Sequence, residues 1–379
     1  MRDLAAELGK WHAARKNYAV ASVIGITGSA PRPLGAAMAV DDEGTVIGSI
    51  SGGCVEGAVY ELCREALRTG TPVRESFGYS DDDAFAVGLT CGGVIEVFVQ
   101  PVGEAERSVL DTVLRAVEPV ALVRDLRSGE AMAVGASWIV GTEFDATVAA
   151  EARAMLEFGA TGVRVLGCAD RERTVFIESQ VPPPRMIVFG AIDFAGAVAR
   201  IGKFLGYHVT VCDARPVFAT KARFPEADEV VVSWPDRYLA GTQVDSRTVL
   251  CVLTHEAKFD VPLLEVALRL PVAYVGAMGS RRTHADRMAR LRAVGLTEAE
   301  LAHLRSPIGL DLGGRTAEET AVSIAAEIIA LRRGGSGLPL GTSGAPIHRD
   351  SVPVPEVAVP DTLEFAEFDV SPGRPARHG

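Results

Sequence analysis

The sequence predicts an α/β protein: an N-terminal mixed α/β domain followed by a Rossmann-like, doubly wound parallel-sheet domain. Three observations lead there. Beyond residue 185, short apolar strand-like runs alternate with helical stretches, the pattern of a parallel sheet with helices on its faces. "VPPPR" at 181–185 sets three consecutive prolines, a stiff extended linker, between the halves. Ahead of it, strands, hairpins and helices are mixed without that regular alternation. The expected units are 1–180, 181–334 and a tail over 335–379 rich in Pro, Gly and Ser, and no repeat at a fixed period is visible.

Each element has its own signal. Residues 3–16 carry helical periodicity, and "YAVASVIGIT" (18–27) reads as a strand. "GSAPRPLG" (28–35) is a loop because prolines 31 and 33 block regular structure. Residues 36–51 predict a hairpin turning at Glu43-Gly44. A helix over 54–68 follows, with Val55, Ala58, Val59, Leu62, Ala66 and Leu67 as its apolar stripe. Strands are expected near 72–78 and at "VIEVFVQPV", then a helix (104–116), a hairpin (120–140), a helix (144–157) and two short strands. In the second half the expected order is strand 186–190, helix 193–206, strands 208–213, 229–233 and 248–254, helix 260–269, strand 272–276 and helix 281–294. The last helix is marked by a capping box of Thr316 and Glu319, by Arg332 and Arg333 against its dipole, and by Gly334 as its stop.

Composition narrows the function. The chain has 379 residues, 48% hydrophobic and 23% charged, which is ordinary globular composition. Its net charge of −11 argues against nucleic-acid binding, which needs a basic face. Neither a signal peptide nor a membrane span is expected, which makes a cytoplasmic protein the default. Cysteines 54, 63, 91, 168, 212 and 251 form no C-x-x-C pair and suit neither a zinc site nor a disulfide scaffold. Cys63, Cys212 and Cys251 fall in apolar patterns and read as core thiols. Cys54 and Cys91 differ, because glycines flank them.

In "GSISGGCVEGAVYE" (48–61), Cys54 follows Gly52 and Gly53 where a strand gives way to a helix. A thiol at a helix start has its thiolate favoured, and the glycines leave room for a ligand. Glu56 adds a carboxylate at the same place, although it opposes thiolate formation. "GLTCGGVIEVFV" (88–99) offers Cys91 ahead of Gly92 and Gly93. The competing reading is that both Gly-Gly pairs merely make turns.

Other signals lie in the second half. Gly190 and Asp213 end successive strands, in the layout of a dinucleotide-binding βαβ unit. The glycine fingerprint is broken there: Ile192 would fill the space a pyrophosphate needs, and Asp193 places a negative charge at the helix start, so NAD(P) is disfavoured. "YVGAMGSRRTHADRM" (274–288) offers a better anion site, with Gly276 and Gly279 at the turn, Ser280 as cap, and Arg281 and Arg282 opening the helix. His255, in "VLTHEAKFD", ends a strand at that same sheet edge, as a catalytic candidate.

Through "GSAPRPLGAAMAV", "GSISGGCVEGAV", "YSDDDAFAVGLTCGGVIEVFV", "FPEADEVV", "VLTHEAKFD", "YVGAMGSRRTHADRMARL" and "SPIGLDLGGRTAEETAVSIAAEIIA", the chain resembles the XdhC/CoxI family of molybdenum-hydroxylase accessory proteins. The motifs run in order from residue 28 to about 330. The resemblance implies binding of the molybdenum cofactor, as molybdopterin or its dinucleotide form, its protection until sulfuration, and its delivery to a xanthine dehydrogenase or CO dehydrogenase-type apoenzyme. On this sequence it implies Cys54 and Cys91 as catalytic and metal-contacting sulfurs, with Glu56, Gly52, Gly53, Gly92 and Gly93 beside them. It also implies Ser29 and Arg32 at the cofactor's phosphate, and Arg281 and Arg282 at a pyrophosphate. Implied partners are the apo hydroxylase and a cysteine-desulfurase-type sulfur donor, and a homodimer is expected from base rates. The family's Gly-Ala-Gly-His turn reads Gly-Ala-Ile-Asp at 190–193. Two alternatives remain, an NAD(P)-dependent oxidoreductase and a cofactor-free scaffold for the apoenzyme.

Overall fold

The computed structural model describes residues 1–28, 30–78, 93–167, 172–254 and 256–342. Helix α1 (Ala5–Ala13) leads into a five-stranded antiparallel sheet of β1 (Tyr18–Thr27), β2 (Ala37–Asp41), β3 (Val46–Gly48), β4 (Val73–Phe77) and β5 (Val94–Pro101), ordered β3-β2-β1-β5-β4. Helix α2 (Glu56–Thr69) crosses its outer face between β3 and β4. After α3 (Glu104–Arg115) comes a second sheet of β6 (Val120–Asp125), β7 (Ala131–Val134), β8 (Ile139–Gly141), β9 (Thr161–Leu166) and β10 (Arg173–Gln180), ordered β8-β7-β6-β10-β9. Helix α4 (Ala146–Phe158) occupies the place of α2. The N-terminal half is therefore two copies of one β-β-β-α-β-β unit.

The copies are legible residue by residue. Both β2 and β7 read Ala-Met-Ala-Val, at 37–40 and 131–134. Ser22 pairs with Ala37 and Phe98 as Arg124 pairs with Ala131 and Phe176. The glycines that end β3 and β8, Gly48 and Gly141, both have φ above zero. An added Cβ at Gly141 would stand 2.5 Å from the Ala131 carbonyl oxygen, and one at Gly48 would meet the matching Ala37 oxygen.

The two sheets pack face to face. Along β1, side chains alternate between faces as a pleated strand requires. Ala19, Ala21 and Val23 lie against Val59, Cys63 and Ala66 of α2, while Tyr18 and Val20 meet Val120 and Leu122 of the second sheet. Burial on both faces explains the unbroken apolar run. At the centre, Arg124 is 1% exposed between the rings of Phe98 and Phe176, 5.9 and 5.3 Å away. It donates to Ser22 Oγ (3.0 Å) and Glu178 Oε2 (3.3 Å), and Glu178 Oε1 accepts from the Met1 ammonium (2.8 Å). The copies run in opposite senses: Gly35, at the loop end of the first sheet, lies against Thr161 and Glu178, and Gly129, at the loop end of the second, against Pro72.

Prolines 182–184 carry the chain from β10 to a six-stranded parallel sheet. Its strands are β11 (Arg185–Phe189), β12 (His208–Asp213), β13 (Glu229–Val232), β14 (Val249–Val252), β15 (Tyr274–Ala277) and β16 (Leu304–Arg305), ordered β13-β12-β11-β14-β15-β16. Helices α5 (Asp193–Phe204) and α10 (Ala317–Arg333) cover one face. Helices α6 (Pro235–Gly241), α7 (Ala257–Ala267), α8 (Arg281–Ala293) and α9 (Glu298–Leu301) lie on the other. This is the Rossmann-like, doubly wound arrangement expected from the strand–helix alternation. The expected helix at 260–269 starts three residues earlier, at Ala257, with Pro262 tolerated within it.

Candidate functional site: a glycine loop at one end of the first sheet

The registers bring several candidate residues to one edge. Thr27 faces Val94, Ser22 faces Ala37, and Met38 faces Gly48. The connections 28–36 and 49–55, and the chain entering β5 through Gly93, therefore all meet the first sheet at the same end. Cys54, half-buried, packs against the same core cluster as Ile26, Ala30 and Leu34. Ser29, Cys91 and Gly92 lie outside the described residues, as does His255 at the other sheet.

The loop is organised around Glu56. Its Oε1 accepts from Ser49 Oγ (2.7 Å) and from the backbone N–H groups of Ile50 (3.3 Å), Ser51 (2.9 Å) and Gly52 (2.9 Å). Oε2 accepts from Gly53 N–H (2.8 Å) and from the Ser51 hydroxyl. Burial works against ionisation of this carboxyl, but the bonds from Ser51 and Ser49 outweigh it and hold the pKa far below the usual carboxylate range. Glu56 was expected as a catalytic carboxylate. Among the described residues both of its oxygens are taken up by hydrogen bonds that hold the loop.

Gly52 and Gly53 take φ of +79° and +121°, which glycine adopts without strain. A Cβ on either would meet nothing within 4 Å among the described residues. Cys54 N–H (3.0 Å) and Val55 N–H (3.1 Å) both donate to Ser51 Oγ. Cys54 stands two residues before α2, whose positive end already carries the Glu56 carboxylate. The expected dipole support for its thiolate is thus opposed by a negative charge. Arg32, in the neighbouring connection, is 40% exposed and 3.9 Å from the Asp3 carboxylate, and its Nε is buried with no hydrogen-bond partner among the described residues. The thiols expected in the core are there: burial pushes Cys63, Cys212 and Cys251 up to about 12.

The second copy lacks this loop. Asp145 caps α4 by an ordinary bond from Thr147 N–H (2.8 Å), and Arg173 closes the equivalent edge, 3.0 Å from Asp125 and stacked 5.2 Å from the Phe144 ring.

At the parallel sheet, the expected ligand groups answer to protein neighbours. Asp213 is 3% exposed, and its carboxylate accepts from Ala191 N–H (2.7 Å), Arg215 N–H (2.9 Å) and the Arg215 guanidinium (3.0 and 2.8 Å). Burial opposes its charge, yet Arg215 and Ala191 hold its pKa below the usual range. The carboxylate expected at a ribose is thus held by Arg215 and the Ala191 backbone. A Cβ at Gly190 would come within 3.0–3.2 Å of Leu253 and Thr254, so this glycine serves close strand packing. Gly276 packs on Tyr274 and Ile308, and Gly279 on Thr283. Asp193 is exposed, 3.4 Å from Arg223. Ser280 caps α8 through Thr283 N–H (3.1 Å), with Arg281 and Arg282 exposed behind it.

Sequence reasoning passed over a buried pair at this edge. Arg287 Nη2 donates to Asp260 Oδ2 (2.9 Å) and to the Met278 carbonyl (2.8 Å), Nη1 donates to Ser306 Oγ (3.0 Å), and the Thr254 hydroxyl donates to Asp260 Oδ1. One guanidinium thus ties together the ends of β14 and β15, α7 and the chain after β16. The signal was present: Asp260 stands in the apolar stripe of Leu263, Leu264 and Ala267, where an unpaired carboxylate is not tolerated.

The two edges do not meet. The parallel sheet turns the amino ends of its strands toward the N-terminal half, where Ser246 Oγ donates to the Glu157 carbonyl (3.2 Å) and Arg247 Nη1 to the Pro182 carbonyl (2.9 Å). Residues 190–193 and 276–282 lie at the far, carboxyl ends. Cavities of about 380 Å³ beside the proline linker and about 320 Å³ between α5 and α10 are lined by residues of the second half and the linker, not by Cys54. No group of three His, Cys, Asp or Glu residues among the described residues could hold a metal ion. No helix among them is long and apolar enough to cross a membrane.

Comparison with known proteins matches residues 11–78 to the XdhC and CoxI family and residues 186–328 to the XdhC Rossmann domain. The chain is 29% identical over 320 residues to a protein of Bacillus subtilis (strain 168) described as a probable subunit of xanthine dehydrogenase, covering 83% of this chain and 93% of that protein. It is 26% identical over 317 residues to the molybdenum cofactor insertion chaperone PaoD of Escherichia coli (strain K12), covering 84% of each. The crystal structure of a xanthine dehydrogenase from Bacillus halodurans superposes with a TM-score of 0.63 at 26% identity, over 90% of this chain and 98% of that one.

Proposed function

This chain belongs to the XdhC and CoxI family, and from that premise we propose that it is an accessory protein that holds the molybdenum cofactor and passes it to an apo molybdenum hydroxylase. The observation that carries this reading is the 49–55 loop, an open stretch of glycine backbone fixed beside a half-buried thiol. The residues present fit such a guest. Among the described residues nothing fills the space at Gly52 and Gly53 and nothing accepts from Arg32 Nε, a donor suited to the cofactor's phosphate, while Cys54 supplies a soft sulfur ligand. When bound, the cofactor supplies the molybdenum centre that the recipient enzyme uses. The chain's own residues bind and orient it, and they leave it removable.

Protection up to sulfuration, a cysteine-desulfurase-type sulfur donor, a cytoplasmic location, a homodimer and the family's contacts at Ser29, Cys91, Gly92 and Gly93 belong to the same reading. The exposed Arg281 and Arg282 turn is proposed as a separate anion contact, since it sits on the other edge.

The test is to load the purified protein with molybdenum cofactor and measure molybdenum and pterin after gel filtration. Wild type retains both, and Cys54→Ala loses them with the fold intact, because a small half-buried thiol adds little packing. Equal retention by the two removes Cys54 from the site. Micromolar binding of NADH or NADPH in a parallel titration favours the oxidoreductase reading instead.

A further inference from the structure

We propose that Glu56 is the positioning residue of this site: by gathering four backbone N–H groups it fixes the arc that presents Cys54. The inference deepens the proposed function and rests on it.

The arrangement has no counterpart at the matching helix of the second copy, which starts from one aspartate cap and a short connection. In the first copy the chain from Ser49 to Gly53 curls around one carboxylate, which takes six hydrogen bonds, four from successive backbone N–H groups and two from serine hydroxyls. Two glycines with positive φ make that curl possible, and no described residue covers them. Ser51 links the curl to the thiol, since its hydroxyl donates to Glu56 and accepts from Cys54 N–H. A carboxylate suits this task because it is a pure acceptor with two oxygens. An amide of the same shape turns an NH₂ toward the donors on one side.

The experiment compares wild type with Glu56→Gln, Glu56→Ala and the milder Ser49→Ala, which removes one donor to Glu56 and one acceptor of Gly52 N–H. Three quantities are read: melting temperature, the rate of Cys54 alkylation by iodoacetamide followed by peptide mass spectrometry without cofactor, and molybdenum and pterin retained after loading. Losing the acceptor strands several N–H groups, so both Glu56 variants change the alkylation rate roughly tenfold and cut retention by a similar factor. Ser49→Ala gives a smaller change in the same direction. Full rescue by Gln shows that side-chain shape alone matters and overturns the proposal, as do wild-type alkylation and retention in both Glu56 variants. If wild type itself retains no cofactor, the proposed function fails, while the alkylation arm still decides whether Glu56 sets the loop. Should both Glu56 variants fail to fold, Ser49→Ala decides: no change in alkylation overturns the proposal.

Discussion

Replacing Arg124 with methionine tests how the duplicated halves are joined. The substitution keeps a long apolar stem between Phe98 and Phe176 but removes the guanidinium, leaving Glu178, 5% exposed, with the Met1 ammonium as its remaining charged partner. Breaking a buried ion pair from one side costs about 3–5 kcal/mol, chiefly because the abandoned charge stays buried. For a unit of this size each kcal/mol lowers the midpoint by about 2–4 °C, so the N-terminal transition should fall by roughly 6–20 °C. Arg124 Nε has no partner among the described residues even in the native state, so the guanidinium is not fully compensated to begin with. Pairing the change with Glu178→Gln removes the stranded carboxylate but leaves the buried Met1 ammonium to the Gly35 carbonyl and an amide, so the double should recover part of the loss. Calorimetry on wild type, both single variants and the double closes a thermodynamic cycle. A single-variant cost below about 1 kcal/mol, or a double as poor as the sum of the singles, refutes the argument.

Three further outcomes are expected. Asp213→Asn should destabilise the protein near neutral pH and flatten the acid limb of its unfolding curve. The folded carboxyl titrates below its unfolded value, so its contribution is present above about pH 4 and is lost as pH falls through the lowered pKa, as denaturant melts at several pH values will show. Gly141→Ala should cost about 1–3 kcal/mol, since the residue has φ +108° and the new Cβ would meet the Ala131 oxygen at 2.5 Å, and Gly48→Ala should behave alike in the same chemical melt. Arg287→Leu should strand the buried Asp260 carboxylate and cost about 3–5 kcal/mol, whereas the double change with Asp260→Leu should be milder.

Much of the architecture was legible in the chain. Alternating strands and helices gave the parallel sheet, and three prolines mark where β10 gives way to β11. The internal duplication escaped notice because only Ala-Met-Ala-Val is kept letter for letter, and one tetrapeptide cannot be told from chance. What persists is pairing register and φ at Gly48 and Gly141, which are properties of the fold. The site divides similarly. Glycines beside Cys54 pointed to an accessible loop, but Ser49 and Glu56 are seven positions apart, and no spacing rule links them. The direction of a carboxylate is likewise invisible in a string of letters: Asp213 at a strand end reads the same whether it faces a ribose or its own backbone. Asp260 could have been found, as a charge on an apolar helical stripe.

The repeated half gives the molecule a built-in blank. Any property that follows simply from this topology must appear at both ends of the sandwich, and any property seen at one end alone must come from the residues that differ between the copies. Exchanging segments 49–56 and 142–146 would move the loop together with the carboxylate that organises it, without redesigning the scaffold. Since the two ends point opposite ways, a visiting protein would then have to approach from the other side.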